Sequence, residues 1–311
     1  MTAAAAVLRV SAASIEFQNP VLLAAGTAAY GRELSGVMNL DALGGIVTKA
    51  VSPEPRHGAA SPRVAEFEGG MINAVGLANP GLEAVRRDDL PWLEKNVRSA
   101  RVAVNVVGST VEDFATVIEG LDDVARVDAF ELNVSCPNVR AGGMEFGSDV
   151  TTLSALVARA RAATKKAIFV KLSPTLPSIA DTARAVEFAG ADGITLVNTM
   201  PGLVIDVESR RPALGFGTGG VSGPGLLPIG VLSVWKVSRA VSLPLIGVGG
   251  ISGGADVIQY LMAGASLVAI GTAALRDPRL PERVVAELGE WCSSHSVKSI
   301  SELTGVLEWP S

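Results

Sequence analysis

Apolar residues in this chain fall into short, nearly unbroken runs, separated by longer stretches where apolar and polar positions alternate with a helical period. The runs are Val21–Ala25, Gly45–Lys49, Val102–Val106, Ala129–Val134, Ala167–Leu172, Gly193–Asn198, Pro244–Val248 and Leu267–Ile270. Continuous runs of this length, rich in β-branched residues, read as parallel strands covered on both faces. The intervening stretches Leu82–Val97, Val111–Ala125, Val150–Thr164, Ile179–Ala189, Leu226–Ala240 and Ala255–Ala263 read as amphipathic helices, and Arg283–Cys292 follows the last run. Strand alternating with helix predicts βα units and a parallel sheet. Eight of them predict an α/β chain closed into a (β/α)8 TIM barrel, although a doubly wound sheet would also satisfy the alternation. Residues 50–80, rich in Gly, Pro and Asn, interrupt the rhythm, and residues 199–223 read as a flexible loop over the barrel mouth. No stretch reads as a linker, so residues 1–311 are expected to form one domain with loops inserted over its C-terminal face.

Composition narrows the function classes. Hydrophobic residues make up 48% of the chain, enough for a large core. No apolar run approaches the roughly 18 residues of a membrane span. The stretch Met1–Leu8 lacks the basic region of a signal peptide and reads as a frayed terminus. A net charge of −5 without a Lys/Arg run argues against nucleic acid as a main partner. Two cysteines, Cys136 and Cys292, and two histidines cannot build a disulfide framework or an iron–sulfur site, and no metal site is expected. A reducing cytoplasm fits this usage. His57 and His295 have no evident partners in the sequence and read as surface or loop residues.

The candidate chemistry lies where the runs end, which is where barrels of this kind carry their active sites. The fourth run leads into Asn133-Val134-Ser135-Cys136-Pro137-Asn138, a thiol among amides before a Gly-rich stretch. Free cysteine is often a buried filler; a thiol of lowered pKa in such a place can act as base or nucleophile. Lys49 and Lys171 each lie inside an apolar run with no acid nearby in the same run. A buried lysine needs a partner or a shifted pKa, which suggests an anionic ligand. Asn105, Asn133 and Asn198 occur in strands, where Asn is depleted. Paired amide donors and acceptors suit a planar heterocycle with alternating N–H and C=O groups. Gly249-Gly250 and Gly271-Thr272 close the last two strands, the usual phosphate position in these barrels. The stretch Gly215–Gly220 fits G-x-G-x-x-G but follows no strand, so it is not read as a dinucleotide fingerprint.

These residues together resemble the catalytic subunit of class 1 dihydroorotate dehydrogenases, most closely class 1B, through almost the whole chain. The stretches that carry the resemblance are Asn19 to Gly26, Thr48-Lys49-Ala50, Gly70 to Leu77, Asn133 to Asn138, Val170 to Pro174, Val197-Asn198-Thr199, Ser222-Gly223-Pro224 and the two glycine turns. A Cys at 136 is similar to class 1, since the membrane-associated class 2 enzymes carry Ser there. Asn138 to Gly143 followed by Phe146-Gly147 looks like 1B more than 1A. Two stretches depart from the family, Gly58 to Arg63 and Phe216, both in loops.

The resemblance implies a flavin-dependent oxidoreductase that converts (S)-dihydroorotate to orotate in pyrimidine biosynthesis, with FMN as cofactor. It implies that Gly249, Gly250, Gly271 and Thr272 hold the phosphate. Ala25, Gly26, Lys49, Ala50, Asn105, Asn133, Val197 and Gly223 would line the rest of the cofactor, and Lys171 would face the N1/C2 carbonyl edge of the flavin. Lys49, Asn73, Asn133, Asn198 and Thr199, with backbone from Ala74, Val75, Gly76 and Leu77, would bind the pyrimidine and its carboxylate. Cys136 would remove the C5 proton while hydride leaves C6 for flavin N5. A homodimer core, and a second subunit carrying FAD and a 2Fe–2S cluster that passes electrons to NAD, are implied in the same way. Three other readings share features of the sequence: a dihydropyrimidine dehydrogenase-type barrel acting on uracil or thymine, a class 1A-like fumarate-dependent homodimer, and a non-catalytic flavin- or phosphate-binding scaffold.

Overall fold

The computed structural model describes residues 6–135, 137–138 and 144–310. Eight parallel strands close into a barrel in chain order: β1 (Val21–Leu23), β2 (Gly45–Val47), β3 (Arg101–Val106), β4 (Ala129–Asn133), β5 (Ala167–Leu172), β6 (Gly193–Leu196), β7 (Leu245–Val248) and β8 (Leu267–Ile270). Closure is made by β8 against β1, with Val268 opposite Val21 and Ile270 opposite Leu23. The predicted barrel is therefore present, and the doubly wound alternative is not. Every residue of β1, β2, β5, β6, β7 and β8 is buried, as continuous apolar runs require.

Several strands are shorter than their apolar runs. β2 stops at Val47 and β6 at Leu196, so Lys49 and Asn198 lie just beyond the ladder. Their backbones remain held: the Lys49 N–H donates to the Ala29 carbonyl at 2.7 Å in the turn after β1, and the Asn198 N–H to the Leu172 carbonyl of β5 at 2.9 Å. These polar residues begin the mouth of the barrel.

Helices lie between the strands. Val111–Leu121 opens with a capping box, in which the Thr110 side chain accepts from the Asp113 N–H and the Asp113 carboxylate accepts from the Thr110 N–H. The expected helix over Leu82–Val97 is one helical run of changing pitch: Leu82–Ala84, a π-helical turn at Val85–Asp89, then Leu90–Asn96. Pro91 has no N–H to continue an α-helical ladder from the preceding turn. Just before β2, Asp41 anchors the segment leading into β3 by accepting from the N–H groups of Arg98, Ser99 and Ala100. Backbone donation outweighs burial and holds its carboxyl below the ordinary carboxylate range.

The two irregular stretches form one structure. Val64–Phe67, Gly70–Asn73, Gly219–Ser222 and Met200–Gly202 build a four-stranded antiparallel sheet, and Ile205–Asp206 pairs with Arg211–Pro212 in a small hairpin. Residues 199–223 thus contain four short strands, which corrects their reading as loop throughout. Turn-rich composition concealed these short strands, two of which, Gly70–Asn73 and Gly219–Ser222, pair across about 150 residues of sequence, Asn73 with Gly220 for example. Close packing explains one glycine there. A Cβ on Gly220 would fall 2.0 Å from Thr199 Oγ1.

Candidate active site

The predicted site residues occupy the C-terminal ends of the barrel strands and the sheet beside them. Cys136 lies outside the described residues, as does most of the Gly-rich stretch that follows it.

On β4, alternate residues share a face, so Glu131 and Asn133 point the same way. Asn133 is in register with Lys171 of β5, and Lys171 is in register with Thr195 of β6. Just past β6, Asn198 Nδ2 donates to Asn133 Oδ1 at 3.3 Å, and Asn198 Oδ1 accepts from the Thr199 N–H at 2.8 Å. With its oxygen occupied, Asn133 offers a ligand donation through Nδ2. Thr199 packs on Gly220, whose carbonyl accepts from Asn73 Nδ2 at 3.2 Å. Asn73, Asn133, Asn198 and Thr199, scattered over more than 120 residues, are therefore linked by direct contacts along one side of the mouth.

Lys171 is 7% exposed and makes no ion pair among the described residues. A buried ammonium of this kind calls for a ligand that is anionic or becomes so. Lys49 is half-buried, and its pKa is lowered, first by burial and then by the nearby Arg63 guanidinium, against a weaker opposite pull from Glu33. Two cations without a shared carboxylate make a site for an anion. Arg63 holds the loop below through its Nε bond to the Ala59 carbonyl at 2.6 Å. The stretch from Ala74 to Leu77 stands over the same loop: the Ala74 N–H donates to the Arg63 carbonyl and the Ala59 N–H to the Val75 carbonyl. Gly76 and Leu77 have positive φ, 70° and 58°, so the turn is tight.

A second polar group lies deeper in the barrel. Asn105 Nδ2 donates to Glu131 Oε1 at 2.8 Å, and Thr195 Oγ1 donates to Glu131 Oε2 at 2.9 Å. All three are at most 2% exposed. Asn105 Oδ1 is fully buried and has no hydrogen-bond partner among the described residues. Sequence reading passed over Glu131 and Thr195. The signal was available, because Glu131 stands two residues before Asn133 on one strand face and opposite Asn105 on the next strand.

The turns after β7 and β8 are built for a close backbone approach. Gly249 and Gly250 have φ of 122° and 73°, and a Cβ on Gly250 would lie 2.4 Å from the Leu227 nitrogen. Tyr260 Oη donates to the Gly249 carbonyl at 2.8 Å and fixes that peptide. The start of the helix that follows, Gly254–Ala263, is already occupied by side chains. Glu287 accepts from the Gly254 N–H, and Asp256 from the Ser252 N–H. The glycine peptides themselves, and the turn at Gly271-Thr272, are what remain for a phosphate. Thr272 Oγ1 donates to Ser222 Oγ at 2.8 Å, joining that turn to Gly223, which has φ 116°. Gly26, at the end of β1, also has positive φ and open space where a Cβ would stand. Ala50 and Val197 are buried, and Tyr30 donates to the Ala50 carbonyl at 3.0 Å. Ala25 is partly buried at the end of β1.

These residues fit a flavin mononucleotide. A buried acceptor and a buried lysine, neither with a partner among the described residues, and a turn at Gly250 closed to any side chain stand around one barrel mouth. His295 instead stacks on Trp291, with ring centroids 3.9 Å apart, and bonds to the Trp291 carbonyl, as a surface residue does.

A family profile described as dihydroorotate dehydrogenase matches residues 7–291. A protein of Pelobacter propionicus is 42% identical over 301 residues, which is 97% of this chain and 98% of that protein. One of Geobacillus kaustophilus is 43% identical over 298 residues, 96% of this chain and 95% of that protein. One of Geobacter sulfurreducens is 42% identical over 301 residues. Each of the three is named dihydroorotate dehydrogenase B (NAD(+)), catalytic subunit.

Proposed function

The chain belongs to the dihydroorotate dehydrogenase family, and from that premise we propose that it is the catalytic subunit of a B-type enzyme that oxidises (S)-dihydroorotate to orotate in pyrimidine biosynthesis. The observation that carries the reading is the linked set Asn73, Asn133, Asn198 and Thr199 beside Lys49 and Lys171. That set offers amides to the edge of a dihydropyrimidine and cations to its carboxylate.

FMN, when bound, supplies the acceptor for the hydride that leaves C6. The protein's residues do the rest. Lys49 binds the substrate carboxylate, with Arg63 adding positive potential. Asn133 donates through Nδ2 to a ring carbonyl, and Asn73 and Asn198 fix the other edge. The Cys136 thiolate takes the proton from C5, so that loss of that proton and of the C6 hydride leaves the C5=C6 double bond of orotate. A thiol with an ordinary pKa of about 8.5 is a workable base if modestly lowered. Lys171 would face the N1/C2 carbonyl edge of the flavin. Gly249, Gly250, Gly271 and Thr272 hold the cofactor phosphate. Ala25, Gly26, Ala50, Asn105, Val197 and Gly223 enclose the remainder, and Lys49 and Asn133 stand between cofactor and substrate.

Residues 1–311 act as one barrel domain, paired with a second copy. A partner subunit carrying FAD and a 2Fe–2S cluster takes the electrons to NAD. The names of the relatives support a second, electron-transferring subunit, since they describe a catalytic subunit of an NAD-linked enzyme. A catalytic free thiol suits a reducing cytoplasm. No helix among the described residues is long and apolar enough to cross a membrane.

Steady-state assays of the FMN-loaded chain with an artificial electron acceptor test the substrate. Turnover with dihydroorotate and none with dihydrouracil is expected. The reverse preference would move the chain to the uracil/thymine type. Purification from the native host with an iron-containing companion is expected; a chain that purifies alone and reduces fumarate directly would overturn the NAD-linked assignment.

A further inference from the structure

Glu131 is the one carboxylate in the deep polar group, and the catalytic scheme above gives it no task. Glu131 Oε1 accepts from Asn105, so the group facing it is the amide NH2. That bond, 2.8 Å long, fixes the amide's orientation and turns Asn105 Oδ1 the other way. Thr195 Oγ1 holds the second carboxylate oxygen at 2.9 Å, so Glu131 itself cannot turn. The Asn105 backbone is equally constrained: its N–H donates to Thr48 Oγ1 at 3.3 Å, and its carbonyl accepts from the Val51 N–H at 2.8 Å. The result is a single rigid acceptor, Asn105 Oδ1, buried and unpartnered among the described residues. A buried acceptor left unmet costs about 1–3 kcal/mol, so its natural complement is a ligand donor.

The barrel order says which donor. Asn105 lies on β3, across the barrel from β7, whose glycine turn belongs to the phosphate end. A flavin held by its phosphate at β7 and β8 presents the ring, not the ribityl chain, to the far wall. The oxidised ring has one N–H donor, the imide N3–H. Resting on the reading of FMN as the cofactor, we propose that Glu131 is a positioning residue that locks the Asn105 amide so that its Oδ1 receives the flavin N3–H.

The test binds FMN labelled with ¹⁵N at N3 to the apoprotein and follows both affinity, by quenching of flavin fluorescence, and the N3–H cross-peak. The unchanged chain should show a cross-peak protected from exchange with water. In Glu131→Gln, whose amide can face Asn105 with either end, protection should be lost and the Kd for FMN should rise about ten-fold, the scale of one neutral hydrogen bond. Should Glu131→Gln not fold, Glu131→Asp, which keeps the charge but withdraws it by one methylene, carries the same expectations. A variant that keeps both the protected cross-peak and the affinity would overturn the role of Glu131. An unchanged chain that binds FMN with an unprotected N3–H would overturn the acceptor assignment. An unchanged chain that binds no FMN would instead remove the cofactor reading beneath it.

Discussion

Asn198 Nδ2 donates to Asn133 Oδ1 across 3.3 Å, joining the end of β6 to the end of β4 over the intervening β5. The bond determines which end of each amide a substrate meets. Asn198→Ala should therefore disturb Asn133 as well as remove one contact. The KM for dihydroorotate should rise about 10- to 100-fold while FMN stays bound, in line with losing one or two well-placed polar contacts. Kinetics of the variant at saturating acceptor check this.

Lys49 is expected to serve binding at the expense of stability. Its pKa is depressed below the ordinary 10.5 by burial first and Arg63 second. A lysine depressed in the folded chain opposes folding wherever it is charged in both states. That opposition is in force below the folded pKa and fades as pH rises from there toward 10.5. Lys49→Met should leave the Tm of the apoprotein unchanged or higher at neutral pH and abolish dihydroorotate turnover. For the unchanged chain, substrate affinity should fall as pH rises through the folded pKa of Lys49, because the ammonium is lost. Thermal melts and a pH series of KM read the two effects.

Gly250 stands where only glycine fits, with φ 73° and the Leu227 nitrogen 2.4 Å from a would-be Cβ. Gly250→Ala should cost about 1–3 kcal/mol of stability, through a strained backbone and displaced neighbours. It should also expel FMN, readable as loss of the yellow colour on desalting. Gly26→Ala, with open space around its Cβ, should fold and yet bind FMN more weakly.

Asp41 is expected to set part of the acid limb of stability. Three backbone N–H groups, from Ala100, Arg98 and Ser99, hold its carboxylate below the ordinary range despite partial burial. A depressed carboxyl contributes stability above its unfolded pKa and loses it as pH falls through the folded one. Asp41→Asn should cost about 1–2 kcal/mol at pH 7 after allowance for solvent screening. The gap from the unchanged chain should close in acid, as urea titrations at two pH values would show.

Cys136 should be needed for chemistry and dispensable for assembly. Cys136→Ala is expected to retain FMN and lose most turnover at neutral pH, and Cys136→Ser to act only at higher pH, because a hydroxyl is a far weaker acid than a thiol. Unchanged turnover in Cys136→Ala would remove the thiol from the mechanism.

The barrel was legible in the sequence because a parallel strand covered on both faces must be largely apolar, and the eight runs are, apart from the few polar residues they carry toward the mouth. The polar residues beyond β2 and β6, Lys49 and Asn198, were read as strand because their apolar neighbours continue the run. The sheet over the mouth was not legible. Asn73 and Gly220 pair across 147 residues of sequence, and their strands are short and glycine-rich, so no local pattern announces them. The occupied helix start after β7 was hidden likewise, because Glu287 reaches Gly254 from a distant helix. Glu131 was legible in principle through its period-two spacing from Asn133, but a single acid in a strand has no evident task until its partners Asn105 and Thr195 are seen.

The most direct test is the visible absorption spectrum of the FMN-loaded chain under anaerobic conditions, recorded before and after adding L-dihydroorotate. Bleaching of the flavin band, with orotate formed in equal amount, is the predicted result. A bound flavin that dihydroorotate leaves oxidised would contradict the proposed substrate and the roles given to Asn133, Asn198 and Lys49.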